Sequence, residues 1–513
     1  MADEQSAPGK VPQTALYTGR AVPTCRFREV DENNVVEALA DALSAFWANR
    51  SQADYLWRYY KGDQPVLKRI KEIRPEICNR VVENHAQEIA VFKVGYQLAE
   101  PVQYVSQPGD EDDDCLESAK RVKRLNMLMD ADEKDSDDRD LFEWMVVCGI
   151  GFRYVTNSEE GADAPFSSYI LDPRSTFVVK SREYHREPLM GVMVCLDEDN
   201  TEFYNVWTKN KYFKVEAGKV TESKANPLGV CIVEYELNSA RMGAFEPVLP
   251  LLDAINVIES NRIDGTEQSV QSLMKFVNCD ISETDFAKML ELGAVKVRSI
   301  DGAQGDVDFI VNDLDQSQTQ VSKEDLYRAM ANIAGMPNLY GSSGSTSDTG
   351  TAVMLRDGWT LAESHAKGYE KKWRQAERRF LKLVLKICDL AKDVDLGLEA
   401  KDVSLSFNRR NYESGLVRAQ MLTTMLATDQ IDPKLAFQSC GLFTDPEAAY
   451  LMSKAHFEQR EQVKMDKALE IAGAQKAQNQ IDEANDGSND YNDKVRLDAA
   501  IDRQTKQSTS KGV

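Results

Sequence analysis

Between Tyr169 and Tyr235 the apolar residues recur at every second position, and on both sides they recur at every third and fourth. A period of two belongs to half-buried strands and a period near 3.6 to helices, so one chain must carry both. The runs Val192 to Cys195, Phe203 to Trp207, Tyr212 to Val215 and Val230 to Tyr235 predict an antiparallel, hairpin-rich sheet. Helical spacing covers Val35 to about Ser51, with aromatic-rich Gln52 to Tyr60 running into a Lys61-Gly62-Asp63 turn. It returns over Asn79 to Phe92, from Leu116 to Leu128 and over Asp140 to Gly149, which leads into a strand at Gly151 to Thr156. Further helices are expected from Val248 to about Val277, from Ser322 to Ala334 with a stop at Gly335-Met336-Pro337, and from about Ala352 to Lys392. The fold class is therefore mixed α+β, and 513 residues suffice for several domains around a sizeable core.

Four segments depart from this periodic pattern. Residues 1 to 30 are poor in apolar periodicity and read as a loose arm. Pro108 to Asp114 is an acidic loop, and beyond Ala472 the chain is rich in Gln, Asn, Asp and Lys and reads mostly as disordered, with a marginal helix as the alternative. Tyr340 to Thr351 holds one charge and no large apolar side chain after Tyr340, the composition of a mobile loop. That loop feeds directly into the helix of about forty residues, which would be a rod of roughly 60 Å with weak points at Gly358 and Gly368.

Charge narrows the function. The chain has 84 acidic and 62 basic residues, a formal net charge of -22, where proteins that grip nucleic acid by its phosphates are usually basic. Nine scattered cysteines without a C-x-x-C pair read as free thiols. No apolar run is long enough for a transmembrane helix and the first ten residues lack the features of a secretory signal, so no membrane is expected. Gly350 is followed by Thr351 and Ala352 rather than Lys-Ser/Thr, which argues against a phosphate-binding loop. His85, His185, His365 and His456 have no metal-ligand spacing, Asp110 to Asp114 lacks the pattern of a calcium loop, and no G-x-S-x-G occurs. No catalytic residue, metal or cofactor is predicted, and the chain is not expected to be an enzyme.

The order of four motifs carries a resemblance. Tyr59-Tyr60-Lys61-Gly62 is followed by Asn79-Arg80-Val81-Val82-Glu83-Asn84 and then by Gly95-Tyr96 with Pro101-Val102. Gly243 to Val248 leads into Leu251-Leu252-Asp253-Ala254-Ile255-Asn256; Ser347 to Leu355 precedes the long basic helix; Phe407-Asn408-Arg409 closes the series. Over roughly residues 45 to 460 this resembles the portal proteins of tailed bacteriophages, of the siphophage type. The acidic insertion at Asp110 to Asp114 and the unmatched tail depart from the pattern.

The resemblance implies a portal fold: an α/β wing, a two-helix stem, a small α/β clip, a long tunnel helix and a helical crown. Carried over, the wing is 31–245 with a return strand in 393–411. The stem helices are 246–277 and 317–335, and the clip is 278–316. The tunnel loop is 338–351, the tunnel helix 352–392, the crown 412–470 and the tail 471–513. It also implies a homo-oligomeric ring of about twelve subunits in the virion, assembled in the host cytoplasm. The partners implied are double-stranded DNA, the large terminase subunit, connector or adaptor proteins, and major capsid or scaffolding proteins. Expected channel residues are Ser342, Ser343, Ser345, Thr346, Ser347 and Thr349 in the loop, and Arg262, Lys275, Lys323 and Arg328 on the stem. Hydroxyls can bond phosphate weakly and release it, whereas many lysines or arginines would hold DNA fast. The long helix carries an apolar stripe of Tyr369, Trp373, Ala376, Phe380, Leu383 and Ile387, which is core or subunit interface, and its basic face (Lys367, Lys371, Lys372, Arg374, Arg378, Arg379, Lys382 and Lys386) suits acids on a neighbouring subunit better than DNA. The alternative is a non-portal scaffold or structural protein of the virion.

Overall fold

The alternation between Tyr169 and Tyr235 folds into antiparallel strands, and a short N-terminal strand joins them. The computed structural model describes residues 18–107, 112–159, 161–270, 273–277, 306–310, 316–337, 358–391, 394, 396–407, 409, 415–428, 430–443 and 445–508. A six-stranded sheet has the order β1-β5-β6-β7-β8-β9. Its strands are β1 (Thr24–Cys25), β5 (Thr176–Ser181), β6 (Pro188–Leu196), β7 (Glu202–Thr208), β8 (Lys211–Glu216) and β9 (Lys219–Ala225). A three-stranded sheet joins β10 (Ile232–Glu236), β3 (Ile150–Asn157) and β4 (Phe166–Leu171).

Helix α1 (Val35–Tyr60) serves two cores. Val35, Ala38, Leu39, Ala42 and Phe46 lie on one face and pack on Val179, Val192, Val206 and Phe213 of the six-stranded sheet. Phe46 stacks on Phe177 with ring centroids 4.4 Å apart. The second half of α1, through Ala53, Leu56 and Tyr59, enters a larger core. That core also takes α2 (His85–Gln97), α3 (Asp112–Ala131), α4 (Lys134–Cys148) and α7 (Trp359–Leu390). Each fully buried Leu or Phe in it contributes about 2 kcal/mol.

Helix α7 has 32 residues, a rod of about 48 Å. Trp373, Ala376, Phe380 and Ile387 of its expected stripe are buried, and Tyr369 and Leu383 pack partly buried against them. Strand β13 (Val403–Ser406) pairs antiparallel with β2 (Gln103–Ser106), Val403 opposite Ser106. The chain divides into two compact units, Met1–Gln107 with Glu117–Ser414, and Pro108–Leu116 with Gly415–Val513. The second contains α8 (Gly415–Leu426), α9 (Pro433–Cys440) and α10 (Pro446–Ser508).

Several expectations need correction. Residues 18 to 30 are not a loose arm: β1 pairs parallel with β5, and Arg20 is fully buried in an ion pair with Glu246 at 2.5 Å. The partner lies 226 positions away, out of reach of local pattern. The helix expected from Asn79 begins at His85, because Asn84 caps it through Gln87 N–H and the residues before it spend their N–H groups elsewhere. Asp112 to Asp114 belong to the first turn of α3, where a helix N-terminus favours acids. The first stem helix stops at Val270, and Leu273–Val277 is a strand, β11, paired antiparallel with β12 (Asp306–Ile310). The expected helix start at Ala352 lies outside the described residues; Gly358, at φ 82°, caps α7 instead of kinking it.

The tail correction is larger. Helix α10 runs 63 residues to Ser508 although its surface is exposed over 461–476. A proline-free run of Ala, Gln, Lys, Glu and Asp carries helix propensity whatever its burial. The described cysteines Cys25, Cys78, Cys148, Cys195, Cys231, Cys388 and Cys440 are free thiols. Among the described residues no helix is long and apolar enough to cross a membrane.

Candidate functional site: a two-helix stem and its charged root

The two helices expected to form a stem are α5 (Leu249–Val270), entered through the short turn Glu246–Val248, and α6 (Ser317–Ala334). An apolar helix would bury only apolar side chains, yet Asn256, Ser260 and Asp264 of α5 are all buried. They sit four residues apart on one face, and an extended segment lies along them. The backbone N–H of Glu83 donates to Asn256 Oδ1 at 2.8 Å, that of Val81 to Ser260 Oγ at 3.0 Å, and that of Asn79 to Asp264 Oδ1 at 2.7 Å. Two extended residues advance about 6.6 Å and four helical residues about 6 Å, so the ladder keeps register over three rungs. Buried N–H groups need acceptors, and here helix side chains supply what a neighbouring strand would.

The ladder is braced at both ends. Asp264 Oδ2 accepts from Arg69 Nη1 at 2.9 Å and Lys71 Nζ at 3.1 Å. Burial alone would raise the Asp264 carboxyl, but the Asn79 N–H groups, Lys71 and Arg69 pull it down to about 2. At the other end Asn256 Nδ2 donates to Gln64 Oε1 at 2.5 Å, and Gln64 Nε2 donates to Asn84 Oδ1 at 2.9 Å. The turn read at Lys61-Gly62-Asp63 thus meets Asn84 at the Asn256 end of the ladder, while Asn79 lies at the Asp264 end.

A second layer joins α6 to α2. Lys323 Nζ is paired with Glu83 and, at 2.9 Å, with Glu259. His85 lies between Glu83 (Nε2 to Oε2, 3.0 Å) and Glu88 (Nδ1 to Oε2, 2.6 Å), and Tyr327 OH donates to Glu88 Oε1 at 2.9 Å. Burial alone would lower His85, but its two carboxylate partners outweigh it and raise it to about 9. The His85 hydrogen bond and then Lys323 hold Glu83 at about 2, against its burial. The imidazole is charged at neutral pH, and the layer is close to electrically balanced.

Lys93 Nζ donates to the carbonyl of Gly335, the residue in left-handed conformation (φ 64°) that ends α6, at 3.0 Å. Burial pushes Lys93 down to about 8. Behind the stem, Glu377 of α7 is fully buried and receives Tyr104 OH at 2.6 Å, Lys134 Nζ at 2.9 Å and Tyr235 OH at 2.6 Å. Asp138 completes the group with Lys134 at 2.6 Å and Arg153 at 2.5 Å. Two cations and two carboxylates thereby lock α7 to β2, α4, β3 and β10.

The expected channel residues fare unequally. Arg262 is paired with Glu259 at 3.0 Å and meets Gln316 Oε1 at 3.3 Å, which clips the two stem helices together. Lys323 sits in the root layer, half-buried between its two carboxylates. Arg328 is half exposed and pairs with Asp325 on its own helix at 3.3 Å. Lys275 lies on β11 opposite Asp308 and not on a stem helix. Ser342, Ser343, Ser345, Thr346, Ser347 and Thr349 lie outside the described residues. The sequence reading missed Glu83, His85, Glu88, Glu259 and Glu377. A usable signal for the ladder was there: Asn256, Ser260 and Asp264 are short polar residues at four-residue spacing inside an apolar helix.

Comparison with known proteins follows this geometry. A family model described as phage portal protein, SPP1 Gp6-like, matches residues 41–484. Among solved structures the chain is similar to one described as the neck of an empty GTA particle computed with C6 symmetry. That likeness has 12% identity and a TM-score of 0.40, covering 76% of this chain and 94% of the other. Among curated proteins none matches.

Proposed function

This chain belongs to the SPP1 Gp6-like phage portal family, and from that premise we propose that it is one subunit of a ring at a single vertex of the viral head. Through this ring the terminase motor would package DNA, the genome would later leave, and connector or tail proteins would attach. The family is a structural one, a component of the virion. The match over residues 41–484 carries the reading.

The stem geometry supports it. A channel wall under load must transmit force without bending, and the ladder of Asn256, Ser260 and Asp264 ties α5 to the body over three rungs. We assign the wing to 31–245 with the return strand, the clip to 278–316 with β11 added, the tunnel loop to 338–351 and the crown to 412–470. Arg262, Lys323 and Arg328 are already paired with carboxylates, so a passing phosphate would exchange partners with them instead of adding a new grip. This favours DNA that slides. The hydroxyls of Ser342 to Thr349 would serve as weak, renewable contacts.

Packaging by the cognate terminase into empty heads tests this. Replacing Ser343, Ser345 and Ser347 together by Lys should leave assembly intact and reduce packaged DNA at least tenfold, more so at low salt. Unchanged packaging at all salt concentrations would contradict the assignment of this loop to the channel.

A further inference from the structure

A closed head-to-tail ring needs two different complementary faces on each subunit. The structure carries a pair of surfaces suited to that task. On α7 the buried residues Trp373, Glu377, Phe380 and Val384 define the inward direction. At 100° per residue, Lys371, Arg378, Lys382 and Lys386 point the opposite way, along about 22 Å of helix. Lys371, Arg378, Lys382 and Lys386 are exposed, Arg379 is half-buried beside them, and none has an ion pair among the described residues. In a chain of net charge -22 this is an unusual concentration of unspent positive charge.

The stripe borders a groove of about 280 Å³ between α7 and the sheets. Pro188, Val230 and Leu383 form a partly exposed apolar floor, and Arg379, Lys382 and Lys386 form a basic rim. A DNA phosphate satisfies the rim but leaves the floor wet. A protein surface with an apolar knob among acids satisfies both.

This chain has such a surface. Where α3 passes into α4, Asp130, Glu133, Asp135 and Asp140 are exposed and form no ion pair among the described residues. One turn before Asp130, Met127 is 66% exposed. Helix α4 turns Lys134, Asp138 and Phe142 inward, toward Glu377 and Trp373 of α7. On α4, Asp140 lies on the side opposite Lys134, Asp138 and Phe142, as the basic stripe lies opposite the buried face of α7, and among the described residues no ion pair joins the two patches within one chain.

Resting on the ring reading above, we propose that these are the two halves of the lateral subunit interface. The acidic corner Asp130–Asp140 of one copy, with Met127 as its knob, docks against the basic stripe and groove of α7 on the next.

Charge swapping tests this. One variant carries Arg378→Glu and Lys382→Glu, another Asp130→Lys and Asp140→Lys, and a third carries all four. All are surface changes and should melt within about 2 °C of the parent. By native mass spectrometry each two-site variant should need roughly tenfold more protein to assemble, and the four-site variant should return to within about threefold of the parent. Mixing the two two-site variants should give an alternating co-assembly. Assembly of either two-site variant like the parent, or no recovery in the four-site variant, overturns the pairing while leaving the ring intact. Intact rings with reduced DNA retention would mean the stripe faces DNA and would also overturn it. A parent that never forms rings fails the portal reading itself. The mixed variants then still decide, since a one-to-one heterodimer supports the pairing and its absence overturns it.

Discussion

Replacing Glu377 by Gln probes the group that fixes α7 to the rest of its unit. The carboxylate is fully buried and accepts hydrogen bonds from Tyr104 and Tyr235 while facing Lys134 at 2.9 Å. Burial alone would raise its pKa; Lys134, Arg153 and the two tyrosine hydroxyls outweigh that and hold it below the usual carboxylate range. With Gln, Lys134 and Arg153 share the single charge of Asp138, and one buried cation is left uncompensated. Losing one member of a buried ion pair costs about 3–5 kcal/mol. The unit has about 400 residues, which corresponds to an unfolding entropy of roughly 0.8 kcal/mol/K, so its Tm should fall by about 4–6 °C. Scanning calorimetry at one fixed protein concentration reads this, since assembly also shifts Tm. Because the folded pKa is depressed, the contribution is present above the ordinary Glu pKa and disappears as pH falls below it. The parent and the variant should therefore converge toward acid pH. Replacing Glu377 and Lys134 together by Met removes one charge of each sign, keeps Asp138 with Arg153, and should recover more than half of the loss. A Glu377→Gln Tm within about 1 °C of the parent at pH 7 would refute the reasoning.

Three further outcomes follow from the stem root. Asp264→Ala leaves Arg69, Lys71 and the Asn79 N–H without their acceptor; it should cost about 3–5 kcal/mol locally and raise amide hydrogen exchange at residues 79, 81 and 83, with β5 to β8 unchanged. His85 is raised to about 9, so its stabilising charge is complete below pH 6.5 and is lost as pH rises through 9; His85→Gln should abolish that decline in a pH series of melting temperatures. Lys93 has the opposite sign. Lowered to about 8, it opposes folding while charged, so between pH 8 and 10 the stability of the parent relative to Lys93→Met should rise by up to about 3 kcal/mol in denaturant titrations, with the His85 loss common to both.

Periodicity was readable wherever burial is one-sided. The change from period two to period 3.6 located the antiparallel strands and the stem helices, and the spacing of Trp373, Phe380 and Ile387 located the buried stripe of α7. The Gly335 stop was readable because a left-handed residue there all but requires glycine. Contacts between distant positions were not. Nothing near Arg20 announces Glu246, and Glu377 looks like one more charge on a basic surface helix until Lys134 and two tyrosines close over it. The extended stretch before His85 looked helical because Val81 and Val82 fit a helical spacing. Its conformation is decided instead by three acceptors on α5, roughly 180 positions away. Arg262, Lys323 and Arg328, the cations expected in the channel, were identifiable as residues, but their carboxylate partners were not. Those partners, Glu83, Glu259 and Asp325, are as ordinary in sequence as any surface acid.

The central claim is a ring with a hole, and the purified chain answers it directly. Native mass spectrometry combined with negative-stain imaging should give a closed assembly of about a dozen subunits with a central channel. A monomer or dimer at every concentration, an open filament or a particle without a hole would contradict it.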